Sequence, residues 1–287
     1  MKRFRLVAML LALCVLASVS SCKKEGVYNP SEKIKRVYVS STYTDKYMSQ
    51  SWEWDGKLLH SINYYNSSGD LSWTEDFTYD KKRLVRVDDY INSEYTTYEY
   101  DGKYLKSANY YDGNTLEATA NYTYENGKLL KMEVIYYNDS KSKINDHMKS
   151  TYLFLPSEIA ETVERYVAQL HSNNEEKSIT TLNYQFFWEK DNIIKMVVTE
   201  DGLITSAALQ YDNKNNPTKG FHNLYSEVDD NPVLYYSKNN ITKMIVTDSE
   251  GDNYVVNITY QYNKDDYPTM CIESEGDYQY NVYYEYE

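Results

Sequence analysis

A repeat constrains this chain more than any other feature. The segments Trp52-Glu-Trp54-Asp-Gly-Lys, Phe77-Thr-Tyr79-Asp-Lys-Lys, Tyr98-Glu-Tyr100-Asp-Gly-Lys and Tyr122-Thr-Tyr124-Glu-Asn-Gly each set two large rings two residues apart, ahead of an acidic or polar turn. Five residues after the second ring comes an aliphatic (Leu59, Leu84, Leu105, Leu129), and three further on another apolar residue (Ile62, Val87, Ala108, Met132). Looser copies follow: Tyr152 and Phe154 lead to Ile159, Phe186 and Trp188 to Ile193 and Met196, and Leu209 and Tyr211 to a diverged turn at Asn215-Asn216-Pro217. Leu234 and Tyr236 then lead to Ile241 and Met244, and Tyr260 and Tyr262 to Tyr267 and Met270, which makes nine units. Repeats of this kind bury a continuous core only by packing against their neighbours.

Each unit reads as strand, turn, strand. Residues two apart share a face of a strand, and Asp55-Gly56, Asp101-Gly102 and Asn126-Gly127 are hairpin turn pairs that accept positive φ. Nine hairpins give about 18 strands, and accumulated twist seldom leaves a sheet flat and open beyond about 10. Closure also removes sticky edges. The composition fits, with 34 Tyr against 6 Phe and 10 Gly. Tyr buries its ring on a half-wet pleated surface while its hydroxyl keeps a partner. The expected fold is therefore all-β: a long antiparallel meander curled or closed into a barrel-like soluble domain over residues 36–287. The stretch Ser157–His171 has apolar residues at helical spacing, but the register through Tyr152, Phe154 and Ile159 favours strand.

The N-terminus is a targeting segment. Lys2, Arg3 and Arg5 precede an apolar run from Leu6 to Ser20 that is short for a membrane span of about 20 residues. Val19-Ser20-Ser21-Cys22 resembles a lipobox, so residues 1–21 read as a signal peptide, Cys22 as the lipidated residue and 22–35 as a tether. Three acyl chains would make a permanent anchor, since each buried methylene adds about 0.8 kcal/mol. Lys23 at the next position lacks the inner-membrane retention signal. Cys22-Lys23-Lys24-Glu25 looks like the surface-export signal of Bacteroidetes lipoproteins, which points to the outer membrane and its outer face.

Loss of residues 1–21 removes three cations and moves the net charge from −13 to −16. A surface this acidic excludes nucleic acid, which needs a basic stripe, and opposes adsorption to anionic lipid. Cys14 leaves with the signal and Cys22 carries lipid, so Cys271 stands alone and no internal disulfide can form.

Signals for chemistry are sparse. His60, His147, His171 and His222 have no second ligand at zinc spacing, and there is no nucleophile elbow or phosphate loop. Carboxylate pairs such as Glu75-Asp76, Asp88-Asp89 and Asp229-Asp230 sit in or near turns, where Asp is expected for backbone reasons. Asp248, Glu250 and Asp252, around Gly251, form a weak calcium candidate without the length of a dedicated loop. Trp52, Trp54, Trp73 and Trp188 could offer flat platforms to sugars, although cross-strand ring pairs also hold such a sheet together. No cofactor is called for, and no enzyme activity.

With the lipobox and the Tyr-Tyr-Glu-Tyr-Glu ending, these aromatic-x-aromatic-Asp-x-x-Gly-x-Leu units resemble YD-type repeats and an uncharacterised Bacteroidetes lipoprotein family of porin-like fold. The resemblance spans nearly all of residues 30–287 and implies barrel closure. It brings no catalytic residues. The expected function is a non-enzymatic surface lipoprotein that binds a glycan, a peptide or an envelope partner. The alternatives are a structural envelope component and, third, a glycan hydrolase.

Overall fold

The computed structural model describes residues 24–89, 93–137, 179–200, 202–221, 232–275 and 278–287. Sixteen strands close into a barrel in which every strand pairs antiparallel with its neighbours in sequence and the last returns to the first. They are β1 Ile34–Ser41, β2 Thr44–Asp55, β3 Leu58–Tyr65, β4 Leu71–Asp80, β5 Arg83–Asp89, β6 Glu94–Asp101, β7 Tyr104–Asp112 and β8 Thr115–Glu125. The second half is β9 Lys128–Tyr137, β10 Ile179–Glu189, β11 Asn192–Glu200, β12 Leu203–Tyr211, β13 Ile241–Thr247, β14 Asn253–Tyr262, β15 Pro268–Glu275 and β16 Tyr278–Tyr286. Among the described residues, one helical turn, α1 (Pro232–Tyr236), lies in the β12–β13 connection.

The all-β closed meander is as the repeat predicts, with two differences in the count. β9 pairs directly with β10, so the ring closes without a stave between Tyr137 and Ile179. The strand expected over Ser157–His171 lies outside the described residues. Leu234 and Tyr236 fall in α1 rather than in a strand, and β12 pairs with β13. What read as two units is thus one hairpin, with Leu209 and Tyr211 supplying one arm and Ile241 and Met244 the other.

The spacing of three between the two aliphatics has a structural cause. In a regular strand, positions three apart point to opposite faces, yet Leu59 and Ile62, Leu84 and Val87, Leu105 and Ala108, and Leu129 and Met132 are all buried. A β-bulge reconciles them. The register shifts between Glu53 and Trp54, Thr78 and Tyr79, Glu99 and Tyr100, Thr123 and Tyr124, and Phe187 and Trp188. One extra residue on the second strand at each shift returns both aliphatics to the inner face.

The termini complete the same pattern. Tyr284-x-Tyr286 on β16 faces Ile34 and Val37 on β1, again three apart, with a register shift between Ile34 and Arg36. The ring is therefore eight units, one of them split between the two ends of the chain.

The tight turns of all units lie at one end of the barrel, and that end is filled. Tyr28, Trp52, Phe221 and Tyr235 pack there, with Tyr28–Phe221 ring centroids 5.3 Å apart and Trp52–Phe221 5.1 Å apart. The Tyr28 hydroxyl donates to the Pro217 carbonyl at 2.6 Å. The described part of the expected tether is thus part of the fold, since Gly26 and Tyr28 are buried before β1 begins.

Candidate functional site

Eight slots occur between neighbouring units at the tight-turn end, and each poses the same problem. The ladder between units stops short: β3–β4 pairing ends at Ser61 and β5–β6 pairing at Arg86. The carbonyl of the first aliphatic then lies past the last rung. The second ring of the next unit reaches it. Tyr79 Oη donates to Leu59 O at 2.8 Å, Tyr100 Oη to Leu84 O at 2.7 Å, Trp54 Nε1 to Ile34 O at 2.8 Å and Trp188 Nε1 to Leu129 O at 2.7 Å. Tyr211 donates to Ile193 O and Tyr286 to Pro268 O, while in β14 it is the first ring, Tyr260, that donates to Ile241 O and the second, Tyr262, that donates to Asp212.

The eighth slot, between β7 and β8, is filled from outside the ring. Glu25 Oε2 accepts from the Leu105 amide at 2.6 Å and from Tyr124 Oη at 2.8 Å. The Glu25 amide donates to Lys103 O at 2.9 Å, its carbonyl accepts from Arg83 Nε at 2.8 Å, and the Leu84 amide donates to Gly26 O at 2.8 Å. Gly26 has φ +81°, and a Cβ there would meet Tyr100 Oη at 2.5 Å. Burial raises the Glu25 carboxyl above its ordinary value against the lowering effect of Leu105, Tyr124, Arg83 and Lys103. Burial likewise raises the Tyr124 and Tyr236 hydroxyls, so both stay protonated donors.

Residues expected to bind ligand are mostly engaged in the fold. Trp52 is 4% exposed among the end-plug rings, and Trp54 and Trp188 are half-buried in their slots. Trp73 lies apart from them, stacked on Tyr64 at 4.3 Å. The four do not form one platform. Asp248 holds a hairpin turn, its Oδ1 accepting from the Glu250 and Asp252 amides at 3.0 and 2.9 Å. Among the described residues, no group of three His, Cys, Asp or Glu side chains could hold a metal ion.

Strand alternation separates each adjacent carboxylate pair across the wall. Glu75 and Asp89 are buried and paired in register on the inside, while Asp76 and Asp88 pair on the outside. Tyr64 Oη donates to Glu75 Oε2 at 2.8 Å. Burial raises the Asp76 carboxyl, with His60 opposing and Asp88 and Glu53 adding to the shift. The buried charged groups among the described residues are all acids: Glu75, Asp89, Glu117 and Glu200, toward the end opposite the tight turns. Asp229-Asp230 lies outside the described residues.

On the outer wall, β8–β11 frame a polar groove of about 400 Å3, lined by Asn121, Thr123, Lys131, Glu133, Asn183 and Gln185 among others. The sequence held no motif for this groove, because its residues are simply the outward alternates of four strands.

No protein-family model matches the chain, and no curated protein sequence matches it. Among solved structures it is similar to a porin-like protein from Bacteroides uniformis ATCC 8492, with a TM-score of 0.53 and 11% identity over 92% of this chain and 100% of that one. At that identity the likeness speaks for the barrel alone.

Proposed function

We propose that this chain is a lipid-anchored, non-enzymatic protein of the bacterial outer membrane, displayed at the cell surface, and related to the porin-like lipoproteins that its repeats resemble. One observation carries the reading: the polarity of the barrel wall. A membrane-spanning barrel presents an apolar band about 25 Å tall to lipid and keeps its polar residues inside. Here Leu59, Ile62, Leu84, Val87 and Val134 are buried, while Glu53, Glu99, Lys131 and Glu133 are exposed on the outer wall. A Lys or Arg facing the bilayer midplane costs about 2–4 kcal/mol, so such a wall belongs in water and membrane attachment falls to Cys22. Changing Cys22 to Ala should move the protein from the membrane fraction to the soluble one. Retention on membranes through a high-salt wash would sink the reading.

The task of such a barrel is to hold a binding surface above the membrane. The groove on β8–β11 suits a glycan or an extended peptide, because its amides, hydroxyls and two opposite charges supply both donors and acceptors. Saccharide and peptide arrays probed with the Cys22→Ala chain test this, with Asn183→Ala and Lys131→Ala as groove variants. Binding that both variants leave unchanged would move the site elsewhere. A second reading, an envelope assembly component, draws on the exposed apolar side chains of Phe187 on β10, Ile204 on β12 and Val255 on β14. These are 39, 57 and 51% exposed.

A further inference from the structure

We propose that the tight-turn end of the barrel is a docking surface for phospholipid headgroups, so that the barrel stands end-on on the membrane that carries its anchor. The inference rests on the reading of Cys22 as the lipidated residue, and it begins with chain length. Three peptide units join Cys22 to Glu25 and span at most about 11 Å when fully extended. Glu25 and Gly26 are fixed to the rim between β5 and β8 by five hydrogen bonds, to or from Arg83, Leu84, Lys103, Leu105 and Tyr124. Whatever path residues 22–24 take, that rim lies within about a headgroup layer of the acylated cysteine. The opposite end is remote, since a ten-residue strand rises about 33 Å and a tilt near 40° leaves about 25 Å along the axis.

A short tether fixes one point of the rim, and charge decides the tilt. Toppling would press the wall next to that point against lipid, and this wall carries Glu53, Asp76, Asp88, Glu99 and Glu133 against Arg86, Lys106 and Lys131, so its balance is acidic. The tight turns differ. Lys57, Lys82, Lys103, Lys190 and Lys264 lie within five of the seven tight-turn connections, Lys128 follows a sixth, and Lys214 and Lys238 lie in the β12–β13 connection. At the opposite end the 138–178 connection carries five lysines and arginines against seven acids, and no other connection there contains a lysine or arginine, while those turns contain Asp70, Asp248, Glu250 and Asp252. Acids also lie in and beside the tight turns, where Asp266 pairs with Lys214 at 2.7 Å and Asp265 with Lys264 at 3.9 Å, so that end is mixed rather than basic, and the remaining lysines are the cations that meet phosphate there. The overall negative charge, which opposes adsorption to anionic lipid, is thus distributed so that one end escapes the repulsion.

The test uses the full lipidated chain in vesicles of phosphatidylethanolamine and phosphatidylglycerol that bear a headgroup quencher. Single fluorophores are placed through Lys57→Cys and Lys264→Cys at the tight turns, and through Ser68→Cys and Asn114→Cys at the opposite end. The unsubstituted chain, whose Cys271 is buried, serves as the blank. The expected result is at least twofold stronger quenching at the tight turns. Equal quenching at both ends, or stronger quenching at Ser68 and Asn114, overturns the end-on arrangement. A flexible insert of 20 Gly/Ser residues after Lys23, with a span of about 25 Å, combined with Lys→Glu at positions 82, 103, 128 and 190, should abolish the difference. Its persistence would show that neither tether nor lysines set the orientation. Release of the Cys22→Ala chain is scored separately, so an intact anchor with equal quenching refutes only the orientation.

Discussion

Removing the hydroxyl of Tyr79 isolates the tie between units. Tyr79→Phe keeps the ring, so its packing survives, and deletes only the donor to Leu59 O. Leu59 is 0% exposed, and the β3–β4 ladder has ended by Ser61. Its carbonyl therefore loses a partner in a place where water replaces it poorly. An unmet buried acceptor costs about 1–3 kcal/mol, against about 1 kcal/mol for an ordinary hydrogen bond swapped for water. For a domain of this size each kcal/mol moves Tm by about 2–4 °C, so a fall of about 2–12 °C is expected. Urea unfolding should show the midpoint falling with the slope m unchanged, which marks a change in stability rather than in the denatured state. Tyr43→Phe is the control, because Tyr43 is 83% exposed and surface changes stay within about 0.5 kcal/mol. Tyr211 occupies the matching slot eight staves away, so Tyr79→Phe and Tyr211→Phe should add within about 0.5 kcal/mol. A Tyr79→Phe midpoint indistinguishable from that of Tyr43→Phe would refute the slot argument.

Other substitutions separate the remaining contributions. Leu129→Ala, at a fully buried aliphatic, should cost about 2–5 kcal/mol in chemical denaturation. Gly56→Ala meets nothing within 4 Å and pays only for positive φ, about 1–2 kcal/mol, whereas Gly26→Ala adds the overlap with Tyr100 and Arg83. Thermal melts should rank Gly26→Ala clearly below Gly56→Ala, and the reverse order would contradict the fixed tether. Burial raises the Glu25 carboxyl, so the folded state holds that proton more tightly than the unfolded state does. Its contribution is complete below the unfolded value and is lost as pH rises through the folded one. The urea midpoint of the natural chain minus that of Glu25→Gln should therefore fall as pH rises above the ordinary range of a glutamate, and a difference that rises with pH rejects burial as the dominant cause.

The barrel was legible because its periodicity is carried by large residues: Trp52 and Trp54, Phe77 and Tyr79, and their followers mark every hairpin. The bulge was also written in the sequence, as a spacing of three between Leu59 and Ile62 that no regular strand can place on one face. The donor requirement was there too. Phe occurs at the first ring position, in Phe77 and Phe186, while the ring that fills each slot is Tyr or Trp, because only these carry a hydrogen to give. Other features had no local signal. The β12–β13 hairpin is split by a long excursion whose Leu234 and Tyr236 mimic a repeat by spacing alone, and α1 forms where they pack at the barrel end. The roles of Trp54 and Trp188 depended on which carbonyl each reached, and those partners lie 20 and 59 residues away.

Glu25 is the residue that sequence reasoning had least means to find, and the repeat explains why it is needed. Seven slots are each met by the next unit's own ring. In the β7–β8 slot, Tyr124 turns its hydroxyl to Glu25 and shares it with Tyr236 at 2.8 Å. The Leu105 amide at the same place is met by the Glu25 carboxylate rather than by a strand neighbour. One short segment ahead of β1 thus completes the one slot that the repeat leaves open, on the side of the ring away from the junction of β1 and β16. The termini are held twice, through that junction and through Glu25 across the barrel end. A closed ring whose last unit is split between its two ends would otherwise open at a single seam. Anchoring the leading segment at a distant slot means that fraying of β1 from β16 leaves the N-terminus attached. Pull on a lipidated Cys22 would then load the rim between β5 and β8 before it reached the seam.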